Sequence, residues 1–291
     1  MLDRAERRVR TLLAPAPVAW SVFVAVHLVL SVVNLVDTRR QPMGDVTGVY
    51  LFWMETALAG GPLVGVDTVW VYPTGALLPI ALPMLAGAAG YGAAWLGMVT
   101  VLDAIAFHLL LRRNRTAAWW WLGFIALLGP VALGRLDTVA MALSIIAVVE
   151  LLGRPAVAGV LLAVATWIKV WPAALVAAAV IALRTRLRIL AAGAGTTAVV
   201  LACAILAGGG GAVLTFITEQ TGRGVQVEAP VAVPWLWMEV AGVAGADVYY
   251  DTGILTYQVR GPGIDVAAAV LTPLLALVVA GLTVLMATAR G

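Results

Sequence analysis

Apolar residues fall into nine long runs, at 17–36, 74–88, 90–111, 117–134, 138–152, 155–171, 172–184, 188–207 and 264–288. Within each run the apolar positions go all the way round a helix rather than along one stripe, as expected of helices that meet lipid or the inside of a membrane bundle. The run from Pro17 to Val36 has the length of a full span, about 20 residues, and is too long for the apolar core of a cleavable signal. Several other runs are shorter and need tight turns or thin, protein-lined surroundings. Pro79 and Pro83 interrupt 74–88, so this run reads as a broken juxtamembrane or re-entrant element. The pattern predicts an all-α, polytopic transmembrane helical bundle of about eight spans, one transmembrane domain over 1–291, with outer-face juxtamembrane helices and loops.

Composition agrees. The 291 residues are 63% hydrophobic and 11% charged, against about one quarter charged for a soluble domain. The net charge of +3 is spread along the chain. No basic stripe with interleaved aromatics suggests nucleic acid as a partner. Cys203 is the sole cysteine and sits in an apolar run, so no internal disulfide forms. His27 and His108 also lie in apolar runs, with no metal-ligand spacing around them.

Charge then sets the orientation. With 74–88 not crossing, 12 of the 18 basic residues face the cytoplasm, among them Arg4, Arg7, Arg8, Arg10, Arg112, Arg113, Arg115, Arg154, Arg184, Arg186, Arg188 and Arg290. With 74–88 crossing, only 8 do. The positive-inside rule selects the first layout, with both termini cytoplasmic. Two long outer segments follow, 37–89 and 208–263, which hold most of the acidic residues and many aromatics. Long loops of this kind are functional or disordered, and this aromatic content argues against disorder.

The candidate chemistry lies in these outer segments. Asp45, within Met43–Glu55, stands at the N-terminal end of an expected interfacial helix, as a cap or as a base. Asp67 and the sequence Trp70-Val71-Tyr72-Pro73 follow. Arg135 and Asp137, in Gly134–Thr138, form either a local ion pair and cap or part of an anion site. Lys169, the only lysine, lies near the outer end of a span in Trp167–Pro172; it either snorkels or meets an anion. Arg135 and Lys169 together offer charge-assisted bonds to a phosphate. Arg223 is flanked by Gly222 and Gly224, in a segment that ends at Glu228. Asp103, mid-span, reads as a buried polar contact or a relay.

An early outer Asp, then Trp-Val-Tyr-Pro, then an Arg–acid pair, then Trp-Ile-Lys-Val-Trp-Pro, with Arg-Gly-Val-Gln-Val-Glu and Val-Arg-Gly-Pro-Gly later, resembles the GT-C membrane glycosyltransferases. The similarity is to the family 87 type, which includes polyprenyl-phosphomannose-dependent mannosyltransferases, and it covers most of 37–265. Thr74 stands where the family often has a second proline. The resemblance implies transfer of a sugar, mannose by analogy, from a polyprenyl-phosphate carrier to a hydroxyl of a glycolipid or glycan at the outer face of the plasma membrane. Asp45 would be the base, and the transfer would invert the anomeric centre. Arg135, Asp137, Lys169, Arg223, Glu228 and Tyr72 would hold substrate and phosphate. No cofactor is expected beyond the donor, and a divalent metal stays open. The family usually has further C-terminal spans, so a protein partner supplying them is a further expectation. The alternatives are a transporter or flippase, which would need a polar path near the midplane, and a non-catalytic partner of a transferase.

Overall fold

The computed structural model describes residues 15–219, 224–254 and 256–288. They belong to two compact units, one ending at Thr215 and the other starting at Phe216. Arg4, Arg7, Arg8, Arg10, Arg223 and Arg290 lie outside the described residues.

The first unit is helical. Helix α1 spans Ala16–Val36. A π-helical segment, Asp45–Tyr50, runs directly into α2, Leu51–Leu58. The segment from Thr74 is broken, as Pro79 and Pro83 require: a 3-10 turn at Thr74–Ala76, α3 at Leu77–Ala81, and a second 3-10 turn at Leu82–Ala86. Gly87 takes φ 69°, a left-handed conformation that suits a residue without Cβ. It opens α4, Gly87–Arg113. Then come α5 (Arg115–Leu128), α6 (Leu136–Glu150), α7 (Pro155–Ile168), α8 (Ala173–Ala182) and α9 (Arg186–Leu206). These bounds track the apolar runs closely.

Four described stretches are long and apolar enough to cross a membrane: Ala16–Val36, Thr74–Arg113, Arg186–Leu206 and Ile264–Met286. Helices α5, α6, α7 and α8 have 14, 15, 14 and 10 residues, short of the ~20 that a bilayer core asks for. By length alone four described stretches qualify, which leaves the expectation of about eight spans unconfirmed.

The core of this unit packs α1, α4, α5 and α6 around Phe23, Tyr50, Tyr91, Trp95 and Phe107. Its polar atoms are tied down. Tyr91 donates its hydroxyl to Ile80 O at 2.8 Å, and the Trp95 indole donates to Leu133 O at 2.9 Å. The two mid-helix polar residues meet across 76 positions of sequence: His27 Nε2 lies 3.2 Å from Asp103 Oδ2, while His27 Nδ1 donates to Phe23 O at 3.0 Å. Because a carbonyl only accepts, Nδ1 carries a proton, and a single further proton is shared between Nε2 and the carboxyl. Phe23 stacks on the imidazole at 3.9 Å. Asp103 is thus a buried contact between α1 and α4.

In the second unit hydropathy predicts the helix after Gly263 but not the strands before it. The unit holds a three-stranded antiparallel sheet of order β1-β3-β2, with β1 at Val225–Gln226, β2 at Asp247–Asp251 and β3 at Thr256–Arg260. Tyr250 pairs with Tyr257, their rings 5.0 Å apart. Helix α10, Val233–Val240, packs on this sheet. Val225, Ala232, Val259 and Ile264 form its small core. Helix α11, Ile264–Thr288, completes the unit.

Candidate active site

The site is assembled where α1 and α7 end and α6 begins. Two glycines let the chain segments come close enough. A Cβ on Gly134 would stand 2.7 Å from Pro42 O, and one on Gly75 would stand 2.7 Å from Trp167 O. Real Cβ atoms do not approach so closely. Gly134 therefore brings the turn before α6 against the segment leading to Asp45. Gly75 brings the turn after Tyr72 against the end of α7.

The turn that carries Arg135 is held by its carbonyls. Asn34 Nδ2 donates to Pro130 O at 2.9 Å, Trp95 Nε1 donates to Leu133 O at 2.9 Å, and the Thr138 hydroxyl donates to Ala132 O. Three side chains from three helices thus fix one irregular stretch by bonding to its carbonyls, where backbone partners alone do not hold it in a regular helix.

Arg135 and Asp137 do not pair with each other. Arg135 Nη1 pairs with Asp45 Oδ2. Asp137 Oδ2 pairs with Lys169 Nζ at 3.0 Å. Residues two apart at a helix start point to different sides, so each reaches a different segment. Lys169 lies beyond the last turn of α7 in extended conformation, φ −143° and ψ 141°. This directs it out of the helix to Asp137 and over the Tyr72 ring, 4.8 Å from its centroid. The four charged side chains are 36% (Arg135), 30% (Asp45), 25% (Lys169) and 50% (Asp137) exposed, so solvent reaches all of them.

Tyr72 belongs to an aromatic box with Tyr50, Trp53 and Trp70, whose rings lie 5.4–6.4 Å apart. Tyr50 is fully buried, with the Tyr72 ring edge-on to it at 6.4 Å. Burial first, then the neighbouring Tyr72 and Asp45, push its phenol well above the ordinary range, with Arg135 opposing. Tyr50 stays a neutral O–H group beside Asp45 and Arg135. Sequence reasoning missed it. The available signal was its place five residues after Asp45, at the end of the π-helical segment, an element that is frequent at functional sites.

The first unit also holds two cavities. One, of about 340 Å³, is lined by apolar side chains of α4, α5, α6 and α8, including Trp120, Met141, Ile145, Val148, Trp171 and Leu175. Its hydroxyl, Ser144, is spent on Ala140 O at 2.7 Å. Asp137, Met141, Ser144, Ile145 and Val148 recur at helical spacing along α6, so one face of α6 carries the acid at its head and the groove below. The other cavity, also about 340 Å³, lies between the end of α1 and the Asp45 segment and is lined by Asn34, Asp37, Thr38, Gln41 and Thr47, among others.

Asp45, Tyr72, Arg135, Asp137 and Lys169 therefore converge. Glu228 does not join them as a described contact: it is exposed in the turn after β1, in the second unit. Arg223 lies outside the described residues. Among the described residues no group of three or more His, Cys, Asp or Glu side chains comes together to hold a metal ion.

No curated protein and no solved structure matches the chain. A family model does: glycosyltransferase family 87 matches residues 70–291, which takes in Tyr72, Arg135, Asp137, Lys169 and the whole second unit. A match over more than half of the chain settles its membership, and with it the general activity of a membrane glycosyltransferase. The chain belongs to glycosyltransferase family 87.

Proposed function

We propose that the protein moves a sugar, mannose in our reading, from a polyprenyl-phosphate carrier to a hydroxyl of a glycolipid or glycan, with Asp45 as the base. The carrying observation is the pairing of Asp45 and Asp137 with Arg135 and Lys169 rather than of sequence neighbours. It sets a carboxylate beside two cations, the groups that a displacement from a phosphate carrier needs.

In this reading the acceptor oxygen attacks the anomeric carbon and gives its proton to Asp45. The bond from that carbon to the phosphate oxygen breaks, and the lipid phosphate leaves with the electron pair. One direct displacement inverts the centre. Arg135 and Lys169 receive the growing phosphate charge. A guanidinium has five N–H donors and an ammonium three, so each can bond a phosphate oxygen without releasing its aspartate. Tyr72 limits where the ammonium can go, and the neutral Tyr50 lends no competing charge.

The apolar groove below Asp137 supports a lipid-linked donor. Its sole hydroxyl is already bonded, so it suits an isoprenoid tail whose phosphate rests near Lys169. Orientation follows from charge. Short links reverse the chain between α4 and α5, α6 and α7, and α8 and α9, which puts Arg112, Arg113, Arg115, Arg154, Arg184 and Arg186 at the end of the bundle away from Asp45. On the positive-inside rule this reading has the Asp45 end extracytoplasmic, and the membrane we propose is the plasma membrane.

The test is transfer from radiolabelled polyprenyl-phosphomannose in membranes, comparing wild type with Asp45→Asn at matched expression. The expected loss is about 10²–10⁴-fold, the range for a missing general base. Undiminished transfer by the variant would remove Asp45 from that role.

A further inference from the structure

We propose that the cavity between the end of α1 and the Asp45 segment is the acceptor subsite, built to take one neutral polyhydroxylated ring; the assignment rests on the transferase reading above. Its size, about 340 Å³, lies at the lower end of small-molecule pockets, which run from ~300 Å³ upward. Its chemistry is what a polyol needs. Asn34, Asp37, Thr38, Gln41 and Thr47 all line it, and no lysine or arginine does. Asp37 is its one charged group. A phosphate or carboxylate would meet repulsion from Asp37 and find no cation in the lining, the nearest being the exposed Arg40 side chain, 3.9 Å from Asp37 Oδ2, whereas hydroxyls both donate and accept.

Several of these groups are available. Asp37 Oδ1 accepts from Arg40 N at 3.0 Å, and its Oδ2 meets the exposed Arg40 guanidinium only at 3.9 Å, so the carboxylate can still accept from a hydroxyl. Thr47 donates to Met43 O at 3.1 Å, so its oxygen can still accept. Asn34 uses its Nδ2 on Leu30 O and Pro130 O, while its buried Oδ1 takes no protein hydrogen bond. Gln41 adds an independent sign. It is the only described non-glycine residue with positive φ, 45°, and strain of this kind gathers at ligand sites.

The wall on the Asp45 side is made by Gly44 and Gly48, one helical turn apart. A Cβ on Gly48 would meet nothing within 4 Å, so this glycine is not required by packing. Two bare positions give a sugar ring a flat backbone to lie on. Gly44 is bonded to Asp45, which places the ring's hydroxyls next to the base. The arrangement divides the substrates: cations and apolar groove for the lipid phosphate on one side of Asp45, uncharged polar cavity for the acceptor on the other.

The experiment uses detergent-solubilised full chain. Gly48→Cys in a Cys203→Ala background is labelled with a maleimide while methyl α-mannoside, myo-inositol or inorganic phosphate is titrated in. Gly153→Cys, in the open turn after α6, is the control for nonspecific slowing. The expected result is slower labelling of Gly48→Cys with the two neutral polyols, no slowing with phosphate, and no slowing at Gly153→Cys. Unchanged labelling with every polyol, equal protection by phosphate, or equal slowing at the control site would each overturn the proposal. A second arm replaces Gly48 with Leu to fill the cavity. It is expected to raise the acceptor KM about tenfold or more, the equivalent of ~1.4 kcal/mol, and to leave the donor KM and donor hydrolysis by water at wild-type levels. Protection of Gly48→Cys by the polyols together with no sugar transfer by the wild-type chain would sink the transferase reading while keeping the polyol subsite. Transfer with no protection would do the reverse.

Discussion

The closest approach at the site offers a quantitative test. In Gly134→Ala the new methyl would sit 2.7 Å from Pro42 O, 3.3 Å from Met43 Cγ and 3.5 Å from Asn34 Oδ1. The first contact is about 0.7 Å short of the 3.4 Å where ordinary contact begins, and it faces backbone, which cannot swing away. Either the segment before Asp45 or the turn before Arg135 must move by a similar amount. Overpacking a close contact costs roughly 1–3 kcal/mol. The kinetic effect should be larger than that suggests, since a misplacement of ~1 Å at a reacting centre can cost about 10²-fold. The expected outcome is a chain that folds, unfolds at a modestly lower temperature, and transfers sugar about 10–100-fold more slowly. The assay is initial-rate sugar transfer beside thermal unfolding in the same detergent. Gly97→Ala, where a Cβ meets nothing within 4 Å, controls for glycine replacement as such and should match wild type. Transfer by Gly134→Ala at the wild-type rate would refute the claim that this approach positions Arg135 against Asp45.

Three further outcomes follow from the same structure. Lys169→Met should slow transfer and raise the donor KM with little change in unfolding temperature, because exposed ion pairs are worth only ~0–1 kcal/mol; a large loss of stability would show that Lys169 is structural. His27→Ala should destabilise by about 3–5 kcal/mol, since it leaves Asp103 buried without its partner, and His27→Phe with Asp103→Leu should recover much of this; equal stability of the single and double variants in thermal unfolding would contradict the pair. Tyr50 has a raised folded pKa, so its contribution is fully present below the unfolded value of ~10 and is lost as pH rises above it. Wild type should therefore lose stability above about pH 10 more steeply than Tyr50→Phe; parallel pH profiles would show that Tyr50 does not resist ionisation.

Hydropathy made the helices legible because an apolar run in a membrane protein has few structural options. Run 264–288 and helix α11 share both bounds, and 188–207 and α9 differ by one or two residues at each end. Span number was less legible, since hydropathy measures apolar content while crossing also needs length. The sheet of the second unit was hidden for another reason. Strands of two and five residues carry too few alternations to stand out from an aromatic loop, and their pairing is long-range. At the site, sequence supplied Asp45, Tyr72, Arg135, Asp137 and Lys169 but not their partners. Proximity in sequence suggested Arg135 with Asp137, although two-residue spacing already argues against a shared face. His27 and Asp103 were each visible as polar intrusions, and their meeting was not, because it depends on how α1 and α4 are rotated.

Local rules of regular structure are broken at a few points in the first unit, and several of those points are in one place. The π-helical turn begins at Asp45, the one non-glycine positive φ among the described residues is at Gln41, Lys169 leaves its helix in an extended conformation, and Gly134 and Gly75 permit contacts that a Cβ would forbid. Departures scattered by drift would be spread along the chain. Departures gathered where four charges and an aromatic box meet are what a functional site produces, since a sequence gives up local consistency where function needs a particular geometry. The ion pairs point the same way. Each is part-exposed and adds little to stability, so the architecture that holds them is out of proportion to the folding energy they return. In the proposed transfer their use lies in the resting balance: two cations, each kept beside a carboxylate, stay in place to be shared with the phosphate of the proposed donor.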